Sequence, residues 1–300
     1  MNFLTPAEVA QATAKTGSVK SKMSVANLFV LGILAGVYIG FGANLATVVG
    51  SSWPADMGGL SKFFFGAVFS VGLMLVVIAG AELFTGNNMF LPIACLNGEA
   101  SWGGLLYNWC IVYIANFVGS LLLVFIIFNG LYYIGSIDAS GEVSTLSAIG
   151  IKAVGIAKGK LSLQWSQAFF RAICCNWLVC LAVWLAVASK DVVGKIFSCF
   201  FPIMAFVTSG FEHCVANMYF VPMGITIANS APAAVAQQYG ITADAVTSLF
   251  TYNNFIFNNL IPVTLGNIVG GGFFVAGFYY FVYLRQAKLE KKVDTPNIKG

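Results

Sequence analysis

The chain has 300 residues, of which 59% are hydrophobic and 9% charged, with a net charge of +4 and a mean hydropathy of +0.85. A soluble domain carries about 25% charged residues, so this composition excludes a water-soluble globule and describes a chain that crosses a bilayer several times. The lysines gather at the ends of apolar runs rather than on one basic face, which speaks against a nucleic-acid partner and for topology signals in a lipid bilayer.

In chain order, residues 1–24 form a polar, amphipathic N-terminal segment, cytoplasmic in this reading. Thr5-Pro6-Ala7-Glu8 has the form of a capping box with proline at the first helical position, so a short amphipathic helix is expected before the membrane. Lys15, Lys20 and Lys22 then flank an apolar run too long for a signal-peptide core and without a small-residue cleavage site. Six apolar segments follow, at roughly 25–50, 61–97, 103–134, 166–188, 196–229 and 254–284. They define an all-α membrane domain over 25–285, followed by a polar tail, 286–300.

The second and fifth segments exceed the roughly 20 residues that a straight span needs. Each is interrupted by the same element. Glu82-Leu83-Phe84-Thr85-Gly86-Asn87-Asn88-Met89-Phe90-Leu91-Pro92 aligns without a gap on Glu212-His213-Cys214-Val215-Ala216-Asn217-Met218-Tyr219-Phe220-Val221-Pro222, so that Glu82 meets Glu212, Asn87 meets Asn217 and Leu83 meets His213. A membrane helix can break only where its freed backbone groups are buried in protein or line a cavity. Both breaks therefore predict a pathway or binding site near mid-membrane.

The duplication extends further. Asn108 and Asn116 in the third segment match Asn259 and Asn267 in the sixth, each pair with seven residues between, while the first and fourth align weakly through Asn27 with Asn176 and Val30 with Val179. Three spans in each half force the second half to insert upside down, giving six transmembrane helices as a 3+3 inverted repeat, a transport architecture. With both termini cytoplasmic, ten lysines and arginines fall inside against four or five outside (Lys62, Lys152, Lys158, Lys160 and, near a helix end, Arg171), which supports that orientation. The 130–165 connection is then external.

His213 is the sole histidine, and its reference pKa near 6.5 makes it the one side chain able to exchange a proton with a weak acid near neutral pH. An anion crossing about 30 Å of hydrocarbon needs donors to replace its water or a proton to cancel its charge. Interrupted helices supply such donors at their N-termini. Glu82 and Glu212 would repel an anion, and are assigned instead to loop structure with Asn87 and Asn217, accepting from freed N–H groups of their own loops. The seven cysteines, Cys214 among them, form neither a CxxC framework nor a metal-ligand set, and no cofactor or metal is expected.

The pairing of Glu82-Leu83-Phe84-Thr85 with Gly210-Phe211-Glu212-His213-Cys214-Val215-Ala216-Asn217-Met218 resembles the formate/nitrite transporter family, most closely its formate channels. The stretches 176–184 and 259–271 resemble two further signatures of that family. The resemblance implies an aquaporin-like protomer, a homopentamer in the plasma (inner) membrane, and one pore per protomer for formate or a similar small monovalent anion, with protons as a second partner. It also implies His213 at the pore centre with Thr85 and Asn267 beside it, Phe69 and Phe206 as the outer constriction, Leu73 and Leu83 as the inner one, and Lys160 drawing anions in. Gly86 departs from the serine that many members carry. Nitrite, hydrosulfide, acetate or lactate are alternative substrates for such a device, and an intramembrane enzyme using Cys214 or His213 is the reading from another class, disfavoured because adjacent residues seldom face each other.

Overall fold

A computed structural model describes residues 3–53, 57–130 and 132–286; the expected C-terminal tail lies outside them, apart from Gln286. Helix α1 (Pro6–Lys20) starts on Thr5, whose hydroxyl accepts from the Glu8 N–H while the Glu8 carboxylate accepts from the Thr5 N–H at 2.7 Å. Those bonds from Thr5 hold Glu8 below its ordinary carboxylate value. One face, formed by Val9, Ala10, Thr13, Ala14 and Gly17, is buried.

Helix α2 (Val25–Ser51) begins on a Ser24 cap and packs along α5 (Trp102–Phe128), which begins on Ser101. Between them, α3 (Gly58–Gly80) widens into a π-helix over its last turns, Leu75–Gly80, and stops; the chain runs extended through Ala81, and α4 (Phe84–Asn97) carries it on. In the second half, α7 (Trp165–Ala188) precedes α8 (Val192–Thr208), which also stops, and α9 (Cys214–Ser230) resumes after a five-residue break. The short helices α10 (Pro232–Tyr239) and α11 (Ala243–Leu249) lead to α12 (Tyr252–Leu284), which holds several π-helical turns. Among the described residues, α2, α3, α5, α7 and α12 are long and apolar enough to cross a membrane. The protein is a multi-pass, mostly helical membrane protein.

The two breaks share one backbone. Gly80 (φ +89°) and Gly210 (φ +72°) turn the chain at matching positions, a left-handed conformation that costs other L-residues about 1–2 kcal/mol. Leu83 (φ −104°, ψ 122°) and His213 (φ −115°, ψ 117°) then sit extended just ahead of the second half-helix. The half-helices α4 and α9 are almost wholly buried and keep Pro92 and Pro222 in their interiors.

The structure alters two expectations. The 130–165 connection is no irregular loop: it holds a hairpin, β1 (Ile134–Ile137) antiparallel to β2 (Val143–Leu146), and then helix α6 (Ala148–Leu161) capped by Ser147. Helix α6 packs on α9 as α1 packs on α4, and each crossing relies on a missing side chain. A Cβ on Gly17 would stand 1.9 Å from the Phe90 oxygen, and one on Gly224 would stand 2.2 Å from the Ala157 Cβ. The repeat thus includes an amphipathic helix at the head of each half. Its register also differs from the alignment of Asn27 on Asn176. The Glu82 N–H donates to the Leu31 oxygen and the Glu212 N–H points to the Arg171 oxygen, so Leu31 matches Arg171 and Gly36 stands opposite Asn176. Backbone groups define this register, and side-chain identity in two dissimilar apolar helices did not reveal it.

Candidate functional site

Each break is held by the same hydrogen-bond set, written twice. The Glu82 carboxylate is paired with the Lys20 ammonium and accepts from Asn87 Nδ2 at 2.8 Å. The Glu212 carboxylate is paired with Lys160 at 2.9 Å and accepts from Asn217 Nδ2 at 2.7 Å. Asn87 donates on to Asn108 and Asn217 to Asn259, while Asn108 and Asn259 each reach the backbone oxygen of the same-half lysine at 3.1 Å. Lys20 lies over the Phe90 ring at 5.3 Å and Lys160 over Phe220 at 5.6 Å. The glutamates are buried but neutralised. They bind side chains, and not the loop N–H groups expected from sequence.

Those N–H groups go elsewhere. Asn116 Oδ1 accepts from the Phe84 N–H at 2.9 Å, and its amide donates to the Gly32 and Glu82 oxygens. Asn267 repeats this with the Cys214 N–H at 2.9 Å and with the Ala172 and Glu212 oxygens. Both asparagines are fully buried. Asn267 therefore caps a half-helix from behind.

His213 breaks the symmetry. Its Nδ1 accepts from the Ala216 N–H at 3.0 Å, capping α9, whereas Leu83 at the matching position gives α4 no side-chain cap. A nitrogen that accepts from a backbone N–H carries no proton, so the neutral ring bears its hydrogen on Nε2. Nε2 lies 2.9 Å from Thr85 Oγ1, across the two halves of the repeat, and donates to it. The Thr85 hydroxyl hydrogen is then free for another acceptor. Asn176 Nδ2 on α7 lies within reach of the Thr85, Asn267 and Asn88 oxygens at 3.2, 2.7 and 3.2 Å, tying the back of α4 to α12.

Two cavities approach this contact. One of about 520 Å³ is lined by Leu73, Leu83, Gly86, Lys20 and Glu82 among others. The second, about 170 Å³, is lined by Phe69, Phe206, His213, Lys160, Glu212 and Phe220 among others. The Phe69 and Phe206 rings meet edge to face at 6.0 Å, and Phe206 lies 5.9 Å from the His213 ring. Leu73, Leu83, Phe69 and Phe206 are all buried. The structure thus gathers His213 and Thr85 at one point, the two leucines on one side and the two phenylalanines on the other. Thr85 and Asn267, both fully buried, line neither cavity; Thr85 lies behind the His213 ring, to which it is bonded. Lys20 was missed as a site residue because, between Lys15 and Lys22 at the end of a polar segment, it reads as a topology signal; the clue was its place, matching Lys160, at the end of the other amphipathic helix.

With this geometry in hand, comparison with known proteins is direct. The family model described as formate/nitrite transporter matches residues 7–281. A probable formate transporter of Methanothermobacter thermautotrophicus is 46% identical over 95% of this chain and 99% of its own. The formate channel FocA of Escherichia coli K12 is 36% identical over 95% of this chain and 96% of its own. Among solved structures, a pentameric formate channel with formate bound superposes with a TM-score of 0.73 at 40% identity, covering 87% of this chain and 98% of that one. The chain belongs to the formate/nitrite transporter family.

Proposed function

We propose that this protein is a formate channel, with one pore in each protomer of a homopentamer and His213 at the pore centre. The observation that carries the reading is the His213–Thr85 contact at 2.9 Å, formed between the two helix breaks and flanked by apolar pairs. Relatives named for formate support the substrate, and a pentameric relative supports the assembly.

The chemistry follows from the donors. Formate entering the Phe-lined chamber loses water between Phe69 and Phe206, a step that favours small monovalent ions over strongly hydrated ones. It meets the free Thr85 hydroxyl hydrogen, while the ring N–H holds the threonine oxygen. Transfer of a proton to formate needs an imidazolium, because Nε2 can give up its hydrogen only if Nδ1 holds another. Nδ1 must then release the Ala216 N–H, a cap worth about 1 kcal/mol. Proton coupling is therefore linked to a small motion at the head of α9. No covalent chemistry is required of Cys214, and the protein acts as a transporter and not as an enzyme. The lysine and arginine distribution supports a reading with both termini in the cytoplasm, and the family supports the plasma (inner) membrane as the location.

The test is liposome uptake of formate, nitrite, hydrosulfide and acetate side by side at two pH values. Formate uptake at least as fast as the other three is expected; a protein that passes nitrite or hydrosulfide and excludes formate has another substrate.

A further inference from the structure

Outside the Phe-lined chamber lies a wider basin of about 430 Å³, lined by Lys62, Lys152, Arg171, Ser61, Thr208 and Ser209 together with apolar residues and Gly210. It shares Phe65, Ile156, Val207, Gly210 and Phe211 with the chamber, so it is the antechamber of the same pathway. Among the described residues no aspartate or glutamate lines it. The nearest carboxylate along the pathway, Glu212, belongs to the inner chamber and is already paired with Lys160. The cavity at the opposite mouth has a different balance, Lys20 and Lys195 with Glu82.

Three positive side chains around one cavity exceed what a monovalent substrate needs. Lys152 is half-buried, with its ammonium 5.7 Å from the Phe65 ring centre, while Lys62 and Arg171 are exposed and free to turn toward a ligand. An arginine fork, two ammonium groups and two serine hydroxyls supply the donors that a tetrahedral oxyanion requires. A dianion feels twice the attraction of formate at each of these charges. It is also too strongly hydrated to pass the phenylalanine pair beyond.

We infer that the Lys62, Lys152 and Arg171 basin binds a divalent tetrahedral oxyanion, such as sulfate or phosphate, and that its occupant plugs the pore from that face. This rests on the pathway reading above. It makes the channel sensitive to oxyanions on one side of the membrane only.

The full chain is reconstituted in liposomes, its sidedness is determined by protease access to the N-terminus, and sulfate is added to one face at a time at constant ionic strength. Inhibition is read as the ratio of formate flux with and without sulfate, so that changes in basal flux cancel. Sulfate on the basin face slows flux and sulfate on the other face does not, and the triple variant Lys62→Gln, Lys152→Gln, Arg171→Gln needs about tenfold more sulfate for the same effect. Calorimetric titration of sulfate into parent and triple variant in detergent tests the site independently of flux, with binding to the parent and about tenfold weaker binding to the variant expected. Equal inhibition from both faces, equal inhibition of the variant, or no sulfate binding overturns the inference and leaves the formate reading intact. A parent that binds sulfate but moves no formate overturns the pathway reading instead.

Discussion

His213 has two demands on one nitrogen. Nδ1 caps the Ala216 N–H, and a proton delivered to a permeating formate anion would leave the ring by way of an imidazolium that has lost that cap. Substituting Asn keeps a side-chain acceptor of good capping rank, so His213→Asn should unfold within about 1 kcal/mol of the parent, whereas His213→Phe loses the cap and leaves the Thr85 hydroxyl unpartnered, at a cost of about 2–3 kcal/mol. Thermal unfolding in detergent separates the two. A second expectation concerns Lys160. Because it is paired with Glu212, Lys160→Gln strands a buried carboxylate beside the pathway, and should lower stability by about 3–5 kcal/mol and slow anion entry. The double change Lys160→Gln, Glu212→Gln should recover most of that stability. If the double variant is as unstable as the single one, the pair is not what the lysine contributes. These partnerships were only half legible. The duplicated Glu and Asn marked both breaks, but a sequence position does not reveal that a carboxylate's partner lies on an amphipathic helix 62 residues away for Lys20 or 52 away for Lys160.

The half-helices depend on what backs them. Helix α1 crosses α4 at Gly17 with no room for a methyl group, while Gly159 on α6 has nothing within 4 Å of an added Cβ. Gly17→Ala should therefore push α1 off α4, open the Lys20–Glu82 pair and raise hydrogen exchange over residues 6–20; Gly159→Ala should be neutral or slightly stabilising. Similar exchange in both variants would contradict the packing. The start of α1 also has a pH dependence. Glu8 is held below its ordinary value by the Thr5 N–H and hydroxyl, so its cap is fully present above the unfolded carboxylate pKa and is lost as pH falls through the lowered value. Glu8→Gln should keep a capping acceptor and remove that dependence of α1 exchange. The breaks were legible because a glutamate, an asparagine and a proline recur at one spacing, Glu82, Asn87 and Pro92 against Glu212, Asn217 and Pro222; the matching turns at Gly80 and Gly210 came from the backbone. Helix α6 was not, since three glycines within 14 residues weaken its helical pattern and it is held by its fit to α9. Nor was the hairpin before it, where Ser136 bonds to Ser144 and Thr145 across a four-residue pair of strands.

The protomer presents large apolar side chains on its outside, among them Phe125, Ile114, Phe273 and Phe281, each more than half exposed. Such surface is compatible with lipid and with neighbouring copies, and the proposed pentamer predicts a mass of five chains in mild detergent by native mass spectrometry; a stable monomer that still passes formate would contradict the assembly but not the pore. Composition made the membrane class plain, and the resemblance supplied the family. The breaks pointed to a pathway near mid-membrane, but the extent and the remaining lining of the cavities came only from coordinates, because the space left between helices has no residue pattern of its own. The central claim is that formate passes the His213–Thr85 contact and can take a proton there. Its most direct test is simultaneous recording of formate flux and proton movement in liposomes from about pH 5 to 8, spanning the histidine range, for the parent and His213→Asn. In the parent, formate flux should carry protons with it increasingly as pH falls; in His213→Asn, formate should still pass while the accompanying proton movement is lost. Identical flux, proton stoichiometry and pH profile in the two proteins would make His213 a structural cap and the account wrong.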